Sequence, residues 1–231
     1  MSTELDRITH PLRLARGSHQ PGKGRAMNFI SYINGYMEMA DYPTCLARPL
    51  AKLVESLRDD LADEDGYLSP KNSVLVMNLG WRTVGTAGAP REVVLRWLAE
   101  LLIDPVHGVA QHASPAAVPA IQRVAELLKR EVAAGTVSYD EWVQARTAAH
   151  DADADHRLAY TIAAAAAYAV ADSTYAADVA IAASYSHPYA DQIEFTRWAI
   201  EKWRELAKLD KPQQINADDI NKALEQIGAH A

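Results

Sequence analysis

LARPLAKLVESLRDDLA, residues 46–62, decides the fold class. Leu46, Leu50, Leu53, Val54, Leu57 and Leu61 recur at three- and four-residue intervals, the period that places apolar side chains on one face of an α-helix. Lys52, Glu55, Arg58 and Asp59 fall on the other face. A half-buried strand would need apolar and polar residues to alternate with period two, and no segment sustains that pattern. The expectation is an all-α protein: a compact bundle of about nine or ten helices with an irregular N-terminal arm.

The same periodicity extends on both sides. Upstream, Phe29, Ile30, Ile33 and Met37 mark a helix near 28–40, weakened by Gly35, and Pro43 turns the chain. Downstream, Ser69-Pro70 announces a helix to about residue 81, with Ser as N-cap and Pro at the first helical position, where its missing N–H costs nothing. Ala89-Pro90 opens another through Val93, Val94, Trp97, Leu98, Leu101 and Leu102. A loop with His107, Gly108 and His112 follows. Ser114-Pro115 repeats the start signal for a helix ending at Gly135. Ser138 caps a helix over 139–149, with Asp140 and Glu141 at the positive end of its dipole. An alanine-rich run reaches residue 171, a further helix covers about 174–186, and His187-Pro188 breaks the chain. Residues 190–209 read as a strongly amphipathic helix with Trp198 and Trp203, and a short helix over 218–227 ends the series. The expected organisation is a basic arm over 1–27, an N-terminal helical part over 28–110 and an alanine-rich C-terminal bundle over 111–231, joined in one compact domain.

Composition narrows the class. Of the 231 residues, 42 are alanine, concentrated between Ala145 and Ala190. Alanine favours helices and lets them pack closely. One cysteine excludes a disulfide framework, and 49% hydrophobic residues exclude an intrinsically disordered chain. Residues 158–171, LAYTIAAAAAYAVA, run for 14 residues, short of the ~20 a bilayer span needs. The N-terminus has no apolar signal region. These features lead us to expect a cytoplasmic protein with no membrane partner.

Charge is distributed unevenly. The 23 Lys+Arg and 30 Asp+Glu give a net charge of −7. The arm nevertheless carries Arg7, Arg13, Arg16, Lys23 and Arg25 with His10 and His19, and no acidic residue occurs between Asp6 and Glu38. Such an arm suits phosphate, a partner's acidic surface or the chain's own acidic patch at Glu55, Asp59, Asp60, Asp63, Glu64 and Asp65. The acidity of the whole chain disfavours a dedicated non-specific nucleic-acid binder, although nucleic acid stays among the possible partners.

Residues 22–61 carry a resemblance. Gly17 and His19 in the basic strip, then Met27, Tyr32 and Gly35, then Asp41, Pro43 and Cys45 before a helix follow the pattern of a family of uncharacterised proteins from actinobacteria and their phages. Val84-Gly85-Thr86 and the Ala/Tyr-rich tract before Trp198 resemble it too. Asn28 and Arg25 stand where that family has Glu and Cys. The resemblance implies an actinobacterial or phage host and carries no reaction with it.

Three sets of residues invite chemistry. His150, Asp153 and His156 step by three, close together on a helix face, and imidazole with carboxylate suits a divalent metal. The alternative is a solvated acidic helix entry offsetting the dipole. Cys45 follows Thr44; with Thr44 capping a helix from Leu46, its thiol would sit in the first turn and be activated, whereas most unpaired cysteines are small buried hydrophobes. Arg13, Arg16, His19, Lys23 and Arg25 form a phosphate- or partner-binding set without the Walker spacing. Tyr160, Tyr168 and Tyr175, and Trp81, Trp97, Trp198 and Trp203, read as core.

No strong catalytic motif emerges, and no cofactor is called for. The sequence points to a non-enzymatic helical interaction protein, docking on a protein partner or on its own copies. The alternatives are a metal-assisted hydrolase using His150, Asp153 and His156, and phosphate or nucleic-acid binding through the arm.

Overall fold

Short-range punctuation sets most helix ends. Ser69 Oγ accepts a hydrogen bond from the Asn72 N–H at 3.2 Å, and Pro70 follows as the first helical residue. Gly135, at φ +62°, stops a helix in the left-handed conformation that glycine adopts without penalty. The computed structural model describes residues 14, 26–34, 42–135, 137–152, 175–210, 212, 215, 218 and 220–222. Among them run eight α-helices: α1 (Ala26–Ile33), α2 (Arg48–Leu61), α3 (Pro70–Arg82), α4 (Arg91–Ile103), α5 (Val118–Ala134), α6 (Tyr139–Ala152), α7 (Tyr175–Tyr185) and α8 (Gln192–Leu206). Short 3-10 turns, Val109–Gln111 and Tyr189–Asp191, join α4 to α5 and α7 to α8. No strand occurs among the described residues. Leu46 and Val84 form an isolated antiparallel bridge. The all-α class expected from the periodicity is the class observed.

Two helix starts differ from expectation. α5 begins at Val118, not at Ser114-Pro115. The Ser114 carbonyl accepts from the amides of Ala117 (2.9 Å) and Val118 (3.2 Å), so residues 114–117 close a turn first. Pro119, within the first two helical positions, then suits the start. α2 begins at Arg48 after Ala47, which makes no side-chain cap. Thr44 and Cys45 therefore lie in the turn before the helix, outside its first turn.

The described residues fall into two compact units. The first draws on Met1–Ala47, Val54–Ala87 and Asp210–Ala231, the second on Arg48–Leu53 and Gly88–Leu209, so α2 contributes to both.

In the first unit α1 packs on α3. Met27 and Ile30 of α1 and Val76, Met77 and Leu79 of α3 are buried. Gly80 allows the close approach: a Cβ there would stand 2.8 Å from Ile30 Cδ1. Leu14 is fully buried, its N–H donating to Ser73 Oγ at 3.1 Å and its carbonyl accepting from the Leu68 N–H at 3.0 Å. Arg58, expected on the polar face of α2, is buried as well. Its Nε and Nη2 donate to Asp59 Oδ1, at 3.0 and 2.7 Å, and its Nη1 lies 3.7 Å from Glu55 Oε1. The Tyr42 hydroxyl donates to Glu55 Oε2 at 2.8 Å, completing a cluster that partners a charge taken out of water.

In the second unit α4 is central and packs against α5, α7 and α8, while α6 packs on α5. Seven of its side chains are buried, from Val93 to Leu102. Trp97 is fully buried, donates from Nε1 to the Ala199 carbonyl at 2.8 Å, and meets Trp203 edge to face at 5.0 Å. α7 buries Ala176, Ala177, Val179, Ala180, Ala182, Ala183 and Ser184, small side chains that let it lie close to α4 and α8. Trp97 and Trp203 are the core anchors expected. Trp81 and Trp198 are only half-buried, and Tyr175 is exposed rather than core. Among the described residues no helix is long and apolar enough to cross a membrane.

Candidate functional site

The structure places the sequence-derived candidates unevenly. Arg13, Arg16, His19, Lys23, Arg25, Asp153, His156, Tyr160 and Tyr168 lie outside the described residues, as does the side chain of His150, whose backbone belongs to α6. Among the described residues no group of three or more His, Cys, Asp or Glu is placed to hold a metal. Cys45 is half-buried in its turn, so the helix-start argument for an activated thiol does not apply to it.

Two short motifs that are distant in sequence meet. The Cys45 carbonyl accepts from the amides of Gly85 (3.0 Å) and Ala87 (3.3 Å). Thr86 Oγ1 accepts from the Ala47 N–H at 2.9 Å and donates to the Thr83 carbonyl at 2.5 Å. Residues 43–47 and 83–87 thus form one hydrogen-bonded seam in the first unit. Its groups satisfy each other, which is the signature of a structural element rather than of a reactive one.

The arrangement with most chemical potential lies in the second unit, where the turn between α7 and α8 meets the loop 104–112. Two backbone features build it. Asp104, just past α4, accepts the amides of Val106 and His107 on Oδ1, each at 2.9 Å. Gly108 brings the loop back onto the helix end, its N–H donating to the Asp104 carbonyl at 2.9 Å; a Cβ there would lie 2.5 Å from the Asp104 backbone N and O. On the other side, α7 ends where Ser186 Oγ donates to the Ala183 carbonyl at 2.7 Å. His187 follows, buried at 6% exposure, with Tyr185, Pro188, Tyr189 and Ala190 exposed around it.

His187 joins the two segments. Its Nε2 lies 3.0 Å from the His107 carbonyl oxygen, and its Nδ1 lies 2.9 Å from the Ala183 carbonyl oxygen and 3.2 Å from Ser186 Oγ. Its ring packs on His112 (4.4 Å between centroids) and on Phe195 (4.3 Å). His107 stacks nearly parallel on Trp198 at 4.8 Å. Burial pushes the His187 imidazole below its ordinary range, the neighbouring His112 and His107 push the same way, and the two carbonyl acceptors pull back. Asp104 is held below the usual carboxylate range: burial raises it, but the His107 and Val106 amides, with His107 and Lys202 nearby, outweigh that.

Within the arrangement the carboxylate pairs with His107, Asp104 Oδ1 lying 3.6 Å from His107 Nδ1, and not with His187. His187 makes no ion pair among the described residues, so it lacks the carboxylate that typically orients a catalytic histidine. It is a framework that displays aromatic surface: Tyr185 is 45% exposed and Tyr189 60%. Reading His187-Pro188 only as a helix break missed this. The sequence offered only two separate pieces, His107-Gly108 and a His187-Pro188 pair between Tyr185 and Tyr189, with nothing to say that they meet. Compared with protein-family models, curated proteins and solved structures, the chain matches none.

Proposed function

We propose that this chain is a non-enzymatic helical interaction protein that docks on another protein, or on a further copy of itself, through the tyrosine-bearing turn between α7 and α8. The resemblance noted above sets the reading in the cytoplasm of an actinobacterium or its phage. The observation that carries it is the exposure of Tyr185 and Tyr189 at the end of a segment, 175–190, with Asp178 as its only carboxylate and no Lys or Arg. Large rings on a low-charge, tightly framed turn cover much area at little entropic cost, and tyrosine is among the residues that dominate binding energy at interfaces.

The test compares the wild type with the double variant Tyr185→Ser/Tyr189→Ser. Light scattering reads self-association, and capture from an actinobacterial lysate reads partner binding. Assembly or capture that the variant loses, with its helical circular dichroism intact, supports the reading. A wild type that is monomeric and captures nothing beyond what the variant captures removes it.

A further inference from the structure

We propose that the acidic stretch 59–65, where α2 runs into the loop before α3, is the docking surface for this chain's own basic arm: Leu14 seats the arm beside it, and Arg13 and Arg16 meet its carboxylates. The inference concerns the first unit alone and does not depend on the tyrosine-bearing turn of the second.

Residues 59–65 hold five carboxylates, Asp59, Asp60, Asp63, Glu64 and Asp65, with no Lys or Arg among them. The nearest cations along the chain are Arg58 and Lys71. Arg58 is buried and engaged by Asp59 and Glu55, so it offsets little of the charge that faces water. Past α2 the backbone closes a tight turn. The Asp63 carbonyl accepts from the Gly66 amide at 2.9 Å, the Asp63 amide donates to the Tyr67 carbonyl at 2.8 Å, and Asp63 Oδ1 accepts from the Tyr67 amide at 2.8 Å. Asp63, Glu64 and Asp65 are exposed on that turn. Like charges fixed this close together repel, and a cationic segment laid against them relieves the repulsion.

Leu14 points to the occupant. It is fully buried, its carbonyl accepts from the Leu68 amide at 3.0 Å, and its own amide donates to Ser73 Oγ at 3.1 Å. Leu68 stands three residues beyond Asp65, at the end of the same loop. Leu14 belongs to the run that carries Arg7, Arg13, Arg16, Lys23 and Arg25, and no acidic residue occurs between Asp6 and Glu38. Chain geometry then bounds the separations. Arg13 adjoins Leu14, Arg16 stands two residues on, within ~7 Å along the backbone, and Asp65 stands within ~11 Å of Leu68. These spans are comparable with the ~10 Å over which charges act at about 0.1 M salt. The backbone tie thus presents the arm's guanidinium groups to the carboxylates at high effective concentration, and a basic segment from elsewhere would have to displace them.

The experiment measures amide hydrogen exchange of the full chain, reading Leu14 and Leu68 against the buried Val76 and Met77 of α3 in the same unit. Arg13→Glu/Arg16→Glu and Glu64→Lys/Asp65→Lys should each lower protection at Leu14 and Leu68 several-fold while Val76 and Met77 hold. The four changes together, which exchange the signs, should restore it. Wild-type protection in either double variant, or no recovery in the combination, overturns the proposal. Should a variant not fold, salt decides on the wild type. Raising sodium chloride from about 0.01 M to about 1 M shortens the screening length from about 30 Å to about 3 Å, and protection at Leu14 and Leu68 should fall several-fold against the α3 pair. Protection that does not respond to salt overturns the proposal, and protection that falls on dilution assigns the surface to a second copy's arm and overturns it as well.

Discussion

Thr86 and Thr196 are both fully buried, and their surroundings predict opposite responses to the same substitution. The Thr86 hydroxyl holds the Ala47 amide and the Thr83 carbonyl. Thr86→Val strands a buried N–H and should cost about 1–3 kcal/mol. The Thr196 hydroxyl has no hydrogen-bond partner, so Thr196→Val, close to isosteric, should be neutral or stabilising by about 1 kcal/mol. Urea denaturation of the two variants checks the pair, and the reverse order contradicts it. Periodicity could not separate these threonines, because both are small polar residues and the difference lies in which backbone groups come near. Arg58 and Leu14 make the same point. The helical wheel of α2 assigns Arg58 to water, but a wheel describes one helix alone, and Arg58 is buried among Tyr42, Glu55 and Asp59. Leu14 stands outside any apolar period, in a region read for its charge, and becomes an anchor through Ser73 and Leu68.

Helices were legible wherever their ends carried local chemistry. Ser69-Pro70, Gly135 and Ser138 sit where their propensities place them. Ser138 Oγ accepts from the Glu141 N–H at 3.3 Å, and the Glu141 carboxylate accepts back from the Ser138 amide at 3.2 Å, a reciprocal cap on α6. Ser138→Ala should cost about 1 kcal/mol in a urea melt, and no change would contradict the cap. The Arg130 guanidinium, together with Ser138, holds Glu141 down to about 2, so the carboxylate's contribution is present above 4.5 and fades as the pH falls toward 2. Ser114-Pro115 has the same signature as Ser69-Pro70 but opens a turn, because the Ser114 carbonyl captures the amides that follow. Helix contacts leave a fainter trace. Gly80 lies inside α3, where glycine is a poor helix former, and a Cβ there would stand 2.8 Å from Ile30 Cδ1 of α1. Gly80→Val should therefore destabilise the protein by about 1–3 kcal/mol through overpacking, despite its better helix propensity. A stabilised variant would show that α1 can move aside freely.

At the scale of the molecule, the chain contributes to its two units in turn, with boundaries at 47/48, 53/54, 87/88 and 209/210. The all-α class was legible from one helix and its neighbours, since period is a property of short windows. The candidate site was not, because it joins residues 104–112 to residues 184–191 through contacts that no window contains. α7 packs through its buried alanines, and its end carries the exposed tyrosines on which the functional reading rests, beside a buried histidine. The most direct measurement places a photo-crosslinking amino acid at position 189 and, as a control, at exposed Gln122 of α5, in the full chain with and without actinobacterial lysate. The account predicts discrete adducts from position 189, either to a second copy or to a defined protein, and none from position 122; adducts from neither position, or equal adducts from both, would contradict it.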